Sequence, residues 1–306
     1  MSVVADSSDV LKTLQFGCLL DAFEPMDIGH AVVRPIIDRA QASEWRERYV
    51  QDDDCIHGPI DLAKRREANP LMLTPTHALD VRDSAWLTKD RHVGMIFLHL
   101  LAACYDVRLQ FSDWWEFGPA FARADIEFHV VPGEFACLLR RAMASGGALR
   151  PTHQAALAGA LNLHGRIPGM HSAWQQFAWQ YTVLDGCWKL LVEQGKVPDV
   201  VKPTACGHGD RLVKLDALVG GRTAQARLEQ IYCRRNELLH ECLEEGNPLD
   251  SGRGGETLRC YWDLRRLCLR LVFVLLEVEC DFRSTPWSTR MQIGRWRLGL
   301  AGYVAD

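Results

Sequence analysis

The chain has 306 residues, 48% of them hydrophobic and 24% charged, with ten tryptophans. That composition belongs to a folded globular protein and excludes low-complexity disorder. A net charge of −4 and a pI near 6.3 exclude a protein that coats polyanions by bulk positive charge, and the length accommodates two domains.

From the N-terminus, MSVVADSSDVLKTL lacks a basic stretch followed by an apolar run, so no export signal is read and a cytoplasmic location is expected. The eleven cysteines are scattered without a C-x-x-C pair. This argues against zinc-finger and thioredoxin-type sites and for reduced, mostly buried thiols. The first 150 residues read as a mixed α and β region with long loops. Thr13–Leu20, Ala31–Ile37 and Ile126–Val131 are predicted strands or buried segments, and Arg91–Tyr105 a buried helix. Asp52-Asp53-Asp54 with His57 reads as a solvated loop, because consecutive carboxylates point apart and rarely share one ion. His92 and His99 share a helix face and read as core. Arg123 and His129 have a loose Arg-x5-His spacing, but the segment between them reads as strand. No metal site and no cofactor are expected.

The second half is more regular. Thr152–His164 is a predicted helix, closed by Gly165 and Pro168, and Gly165–Gly169 is the expected domain boundary. That gives an N-terminal region 1–165 of unknown role and a helical domain 166–306 with a C-terminal tail. His171–Gln194 is an amphipathic helix, with Trp174, Phe177, Tyr181, Leu184, Trp188 and Leu191 at steps of three and four. Asp210–Val219 is a shorter helix. Thr223 is placed to cap the next one, which runs to about Leu243. Gly246-Asn247-Pro248 breaks the chain, Asp250–Gly255 is a polar loop, and a long helix runs from Glu256 to about Phe282. Its apolar run Leu267–Val278 is shorter than the ~20 residues that span a bilayer and reads as buried. No membrane association is expected. The fold class is therefore mainly α: four helices after residue 170 forming a helical bundle, preceded by the mixed region. The tail beyond Phe282 interleaves arginines with Trp287, Trp296 and Tyr303, and reads as packed chain with solvated arginines rather than as a stacking surface.

Charge divides unevenly. Residues 171–306 hold 18 basic and 17 acidic side chains, against 17 and 22 in residues 1–170, so the C-terminal half better suits an anionic ligand. Its most informative stretch is Leu228–Leu243, LEQIYCRRNELLHECL. On an α-helix, Leu228, Ile231, Tyr232, Leu239 and Leu243 cluster within about 120° of arc. Arg235 falls inside that arc, with Asn236 and His240 at its edge. Arginine and histidine in an apolar stripe need partners. These can come from an acid on a neighbouring helix, a second copy of the chain, or an anionic ligand. Asp185, midway along the Trp174–Leu191 helix, is the obvious acid.

Arg235-Asn236-Glu237-Leu238-Leu239-His240 resembles the signature of the HEPN superfamily. That signature is an arginine followed by a polar residue, with histidine after four to six intervening positions. The preceding F-x-x-x-Y-x-x-L-D pattern (Phe177, Tyr181, Leu184, Asp185) and the apolar helix that follows agree, and the arrangement is most similar to the Apea-like branch. The resemblance covers residues 171–282. It implies a HEPN four-helix bundle and a homodimeric, metal-independent endoribonuclease, a toxin or antiviral defence effector in which two motifs form one composite site. Catalytic roles then fall on Arg235, Asn236 and His240, with Asp185, Arg234 and Tyr232 supporting. RNA supplies its own 2′-OH nucleophile, His240 takes the proton, Arg235 meets the charge gained by the phosphate, and Asn236 orients His240 or donates to phosphate. Arg234 offers an alternative arginine at the longer spacing. Two other readings stand beside this one. The first is a non-catalytic HEPN module that dimerises and binds nucleotide, RNA or a protein partner such as an antitoxin. The second is an accessory protein in which Arg235 and His240 merely form a buried network with Asp185.

Overall fold

The computed structural model describes residues 10–17, 25–38, 40–41, 44, 55–56, 75–87, 92–104, 108–111, 120–121, 132–170, 172–221, 223–249 and 254–279. The described part is mainly helical, with seven α-helices and a small antiparallel sheet. Ile126–Val131, the Asp52–His57 cluster, Arg123, His129 and the tail beyond Phe282 lie outside the described residues, apart from the backbone at 55–56.

The chain forms two compact units, 1–143 and 144–306. In the first, β1 (Lys12–Gly17), β2 (Met26–Asp27), β3 (Ala31–Pro35), β5 (His77–Val81) and β6 (Gln110–Phe111) make a sheet in the order β2-β3-β5-β1-β6. All its pairings are antiparallel. β4 (Cys55–Ile56) and β7 (Ala120–Phe121) pair separately. The predicted strands at 13–20 and 31–37 thus fold as β1 and β3. Along β1, Leu14 and Phe16 are buried while Thr13 and Gln15 are exposed, the period-two signature of a sheet with one wet face. On that wet face Asp80 accepts from Thr13 Oγ1 at 2.7 Å and from Arg34 Nε at 2.7 Å, a polar ladder across three strands. α1 (His92–Cys104) is buried from Val93 to Cys104, as its sequence predicts, and His99 lies within it. Phe97 packs edge-on against Phe16 at 6.5 Å.

The second unit is built on α3 (Pro151–Arg166), α4 (Ala173–Glu193), α5 (His208–Leu218), α6 (Gln225–Asn236) and α7 (Gly255–Leu275). The unit boundary falls inside α2 (Pro132–Ala148) and not at Gly165–Gly169. Gly165 and Pro168 only tighten the end of α3 into a 3₁₀ turn, Ile167–Gly169. Leu157 and Leu161 of α3 remain in the core, and α3 packs along α4. Phe177, Tyr181, Leu184, Trp188 and Leu191 of α4 are buried, and α4 makes its most extensive contact with α7. α7 carries two buried arginines. Arg265 donates to the His164 carbonyl at 2.6 Å and Arg270 to its own helix at the Arg266 carbonyl, 2.9 Å. α7 stops at Leu275, short of the expected Phe282. There Lys196 Nζ donates to the carbonyls of Val274 and Leu275 at 3.1 and 3.3 Å and pairs with Glu277 at 2.8 Å, satisfying the orphan C-terminal groups. Among the described residues no helix is long and apolar enough to cross a membrane. Among the described residues, Cys104, Cys187, Cys260 and Cys268 are buried, while Cys233 and Cys242 are exposed.

The described residues between α6 and α7, 237–249 and 254, are tightly specified. β8 (Leu243–Glu244) and β9 (Asn247–Pro248) form a two-residue hairpin. Its turn residues Glu245 and Gly246 have φ of 53° and 72°, the left-handed pair that a type I′ turn demands. Glu245 Oε1 accepts from the backbone N–H of Glu256 at 2.7 Å and of Thr257 at 2.9 Å. A side chain from the turn thereby caps α7, whose own N-cap residue is Gly254. Thr223 does not cap α6. Its hydroxyl donates to Asp216 at 2.6 Å, and Ala224 holds the N-cap position without a side-chain cap.

Candidate functional site

The motif straddles a change of helix type. α6 ends at Asn236, and Glu237–Glu241 continue as one π-helical turn, closed by the Cys242 N–H on the Glu237 carbonyl. Residues five apart on an α-helix diverge by about 140°, but i and i+5 become neighbours in a π-turn. Arg235 and His240 are such a pair. Arg235 Nη1 lies 2.7 Å from His240 Nε2 and donates to Asn236 Oδ1 at 2.9 Å. The three expected catalytic residues are therefore brought together. The continuous apolar arc is not formed: Tyr232 and Leu239 are exposed, at 37% and 46%, and so is His240, while Arg235 and Asn236 are half-buried. The π-turn resets the helical phase after Asn236.

Behind the pair stands His208, the first residue of α5. Arg235 Nη2 lies 3.1 Å from His208 Nε2. His208 Nδ1 lies 3.4 Å from the Tyr181 hydroxyl and 3.7 Å from Asp185 Oδ1. Asp185 also accepts from Arg211 Nη1 at 3.1 Å, and the Arg211 guanidinium lies over the Trp188 ring at 5.8 Å. The Arg235 guanidinium lies 5.8 Å over the Tyr181 ring, the cation–π distance range. The expected acid, Asp185, thus reaches Arg235 only through His208. Guanidinium groups donate and never accept, so both His208 and His240 face Arg235 with a lone pair on Nε2, and the ring proton is assigned to Nδ1 in each. Burial, and then the adjacent Arg235 charge, hold His208 below the ordinary histidine range, against the opposing pull of Asp185. Burial first, with Asp185 next, pushes the Tyr181 hydroxyl up, so it stays a neutral hydrogen-bonding group.

The supporting candidates divide. Tyr232 belongs to the site's rim: a Cβ added at Gly209, next to His208, would meet its ring at 4.0 Å. Arg234 does not belong. It pairs with Glu237, whose other oxygen accepts from the Gly246 N–H. Arg234 thus ties the π-turn to the hairpin, and the arginine facing His240 is Arg235. His208 was missed by the sequence reading. No spacing rule links it to a residue 27 positions later, and only the packing of α5 beside α6 brings the two together.

Among the described residues, the partners of the Arg235 cation are all neutral: it has no ion pair, only Asn236, His208, His240 and the Tyr181 face. Such a group retains its charge for an external anion. Among the described residues, no group of three or more His, Cys, Asp or Glu is placed to hold a metal ion. Compared with protein-family models, curated proteins and solved structures, the chain matches none.

Proposed function

We propose that this protein is a homodimeric, metal-independent endoribonuclease of the HEPN type, with α4–α7 as its bundle, acting as a toxin or antiviral defence effector. The observation that supports this most is the surface-facing Arg235–His240 pair, set side by side by the π-turn and, among the described residues, without a paired carboxylate. An RNA phosphate approaching Arg235 replaces His240 as acceptor for Nη1. That exchange frees the His240 Nε2 lone pair, so the substrate itself unmasks the base. His240 takes the 2′ proton, the 2′ oxygen attacks phosphorus, and the 5′ oxygen leaves with a proton from the facing histidine of a second copy, which enters the step as the imidazolium and ends it neutral. The products are a 2′,3′-cyclic phosphate and a 5′-OH. His208 holds the second Arg235 nitrogen, so the guanidinium turns little as the anion arrives. Exposed Tyr232 and Leu239 beside the motif offer apolar area for the second copy.

The test is cleavage of an end-labelled RNA pool in EDTA by wild type, Arg235→Ala and His240→Ala. Cyclic-phosphate ends that both substitutions abolish support the reading. Intact RNA with all three proteins folded and dimeric favours the second reading, a non-catalytic binding module. That reading draws on the engagement of Arg235 by three neighbours of its own chain.

A further inference from the structure

A second arginine cluster lies at the other end of α6. A cleft of about 570 Å³ opens between α6 and α7, lined by Arg227 and Gln230 from the first and by Glu256, Arg259, Trp262, Asp263 and Arg266 from the second. Its charges are layered. Arg227 clamps both carboxylates: Nη2 lies 2.5 Å from Asp263, whose side chain is 6% exposed, and Nη1 pairs with Glu256. The floor is thereby neutralised to within one charge. Arg259 and Arg266 then hold the outer oxygens of the same acids at the longer distances of 3.3 and 3.5 Å. Arg259 is 68% exposed. On α7, Arg259, Trp262 and Arg266 stand at i, i+3 and i+7, so cation, ring and cation follow one another along a single face.

We propose that this cleft binds a nucleotide, with its phosphate on Arg259 and Arg266, its base against Trp262, and Gln230 at the base edge. The volume falls in the range of small-ligand sites. A bidentate guanidinium–phosphate pair on Arg259 is stronger than the stretched i,i+3 contact to Glu256 that it replaces, and an indole face is a general platform for bases. The site stands independently of the ribonuclease reading. The same chemistry is offered by a free mononucleotide or by one residue of a single-stranded RNA.

The experiment measures binding of a short labelled 2′-O-methyl oligoribonucleotide, which has no free 2′-OH to attack, by fluorescence anisotropy. Wild type, Arg259→Glu, Trp262→Leu and Lys189→Glu are compared at several salt concentrations, each checked for fold by circular dichroism. Lys189 is an exposed cation on α4 outside the cleft, so its reversal controls for net charge. Arg259→Glu is expected to weaken binding about tenfold or more and to lower the salt slope by about one. Trp262→Leu is expected to weaken it at least about fivefold. Competition by adenosine monophosphate assigns the cleft to free nucleotides, and competition by the strand alone assigns it to RNA. Two results would overturn the proposal: neither probe binding to wild type, or both cleft variants behaving like Lys189→Glu. Because no cleavage is measured, loss of the ribonuclease reading leaves this outcome intact.

Discussion

Arg227 and Arg235 sit eight residues apart on α6, about 12 Å along its axis, and their surroundings are opposite. Arg227 is locked between two carboxylates, one of them almost wholly buried. Among the described residues Arg235 has only neutral partners: an amide oxygen, two imidazole nitrogens and a phenol ring. The first arrangement spends the guanidinium on holding α6 to α7. The second leaves its charge available. One helix thus separates stability from chemistry by the kind of partner it gives each arginine, and exposure alone does not make that distinction.

The largest effect is expected at the structural end. Arg227→Ala leaves the buried Asp263 only its longer contact to Arg266 at 3.5 Å and should cost up to roughly 3–5 kcal/mol, read as a lower urea midpoint. If the variant were as stable as wild type, the division of labour would fail there. Arg235→Ala and His240→Ala should do the reverse. RNA cleavage should fall roughly 10²–10³-fold while stability changes by less than about 1 kcal/mol; a large loss of stability would make the second cluster structural too.

Gly254→Ala probes the α6–α7 link from another side. Its Cβ would lie 2.7 Å from Glu244 Oε1 and 3.1 Å from Ala173 Cβ, and Glu244 is buried. Overpacking there should cost about 1–3 kcal/mol in thermal or urea unfolding, without changing either arginine.

The smallest effect is a pH dependence. Folded His208 is held below its ordinary value, so below about pH 6.5 the unfolded chain binds a proton that the folded chain refuses. Its contribution to stability is present in full above that pH and is lost as pH falls toward the folded value, at no more than about 1.4 kcal/mol per pH unit. Fully buried His164, lowered by desolvation and then by Arg265, adds a slope of the same sign. His208→Gln keeps an acceptor for Arg235, so unfolding curves at pH 5 and 7.5 should show only His208's share of the slope removed. An unchanged slope would show that His208 does not titrate against Arg235.

Much of the second unit was legible, because its helices carry long apolar periodicities: Phe177 to Leu191 predicts α4 nearly to the residue. Arg235, Asn236 and His240 were legible as a group through their spacing. Their direct contact was not, since an α-helical wheel sets Arg235 and His240 roughly 140° apart, able to converge on one group at the rim but not to touch, and nothing local announces the π-turn. His208 was invisible for another reason: its role depends wholly on helix packing. Arg234 misled because adjacent arginines look alike in sequence, and only Glu237 and the hairpin separate them. The boundary misled because Gly165 and Pro168 mark the end of a helix as readily as the end of a domain.

The π-turn has a consequence for how this site tolerates insertions and deletions. Because the spacing of Arg235 and His240 is matched to an i+5 hydrogen bond, deleting a single residue between them would favour ordinary α-helical pairing. The histidine would then land at i+4, a different azimuth and rise, although every functional residue type is still present. Substitution scans are blind to such a fault. A one-residue deletion paired with a compensating one-residue insertion would reveal whether this site is kept by its residues alone or also by the count between them.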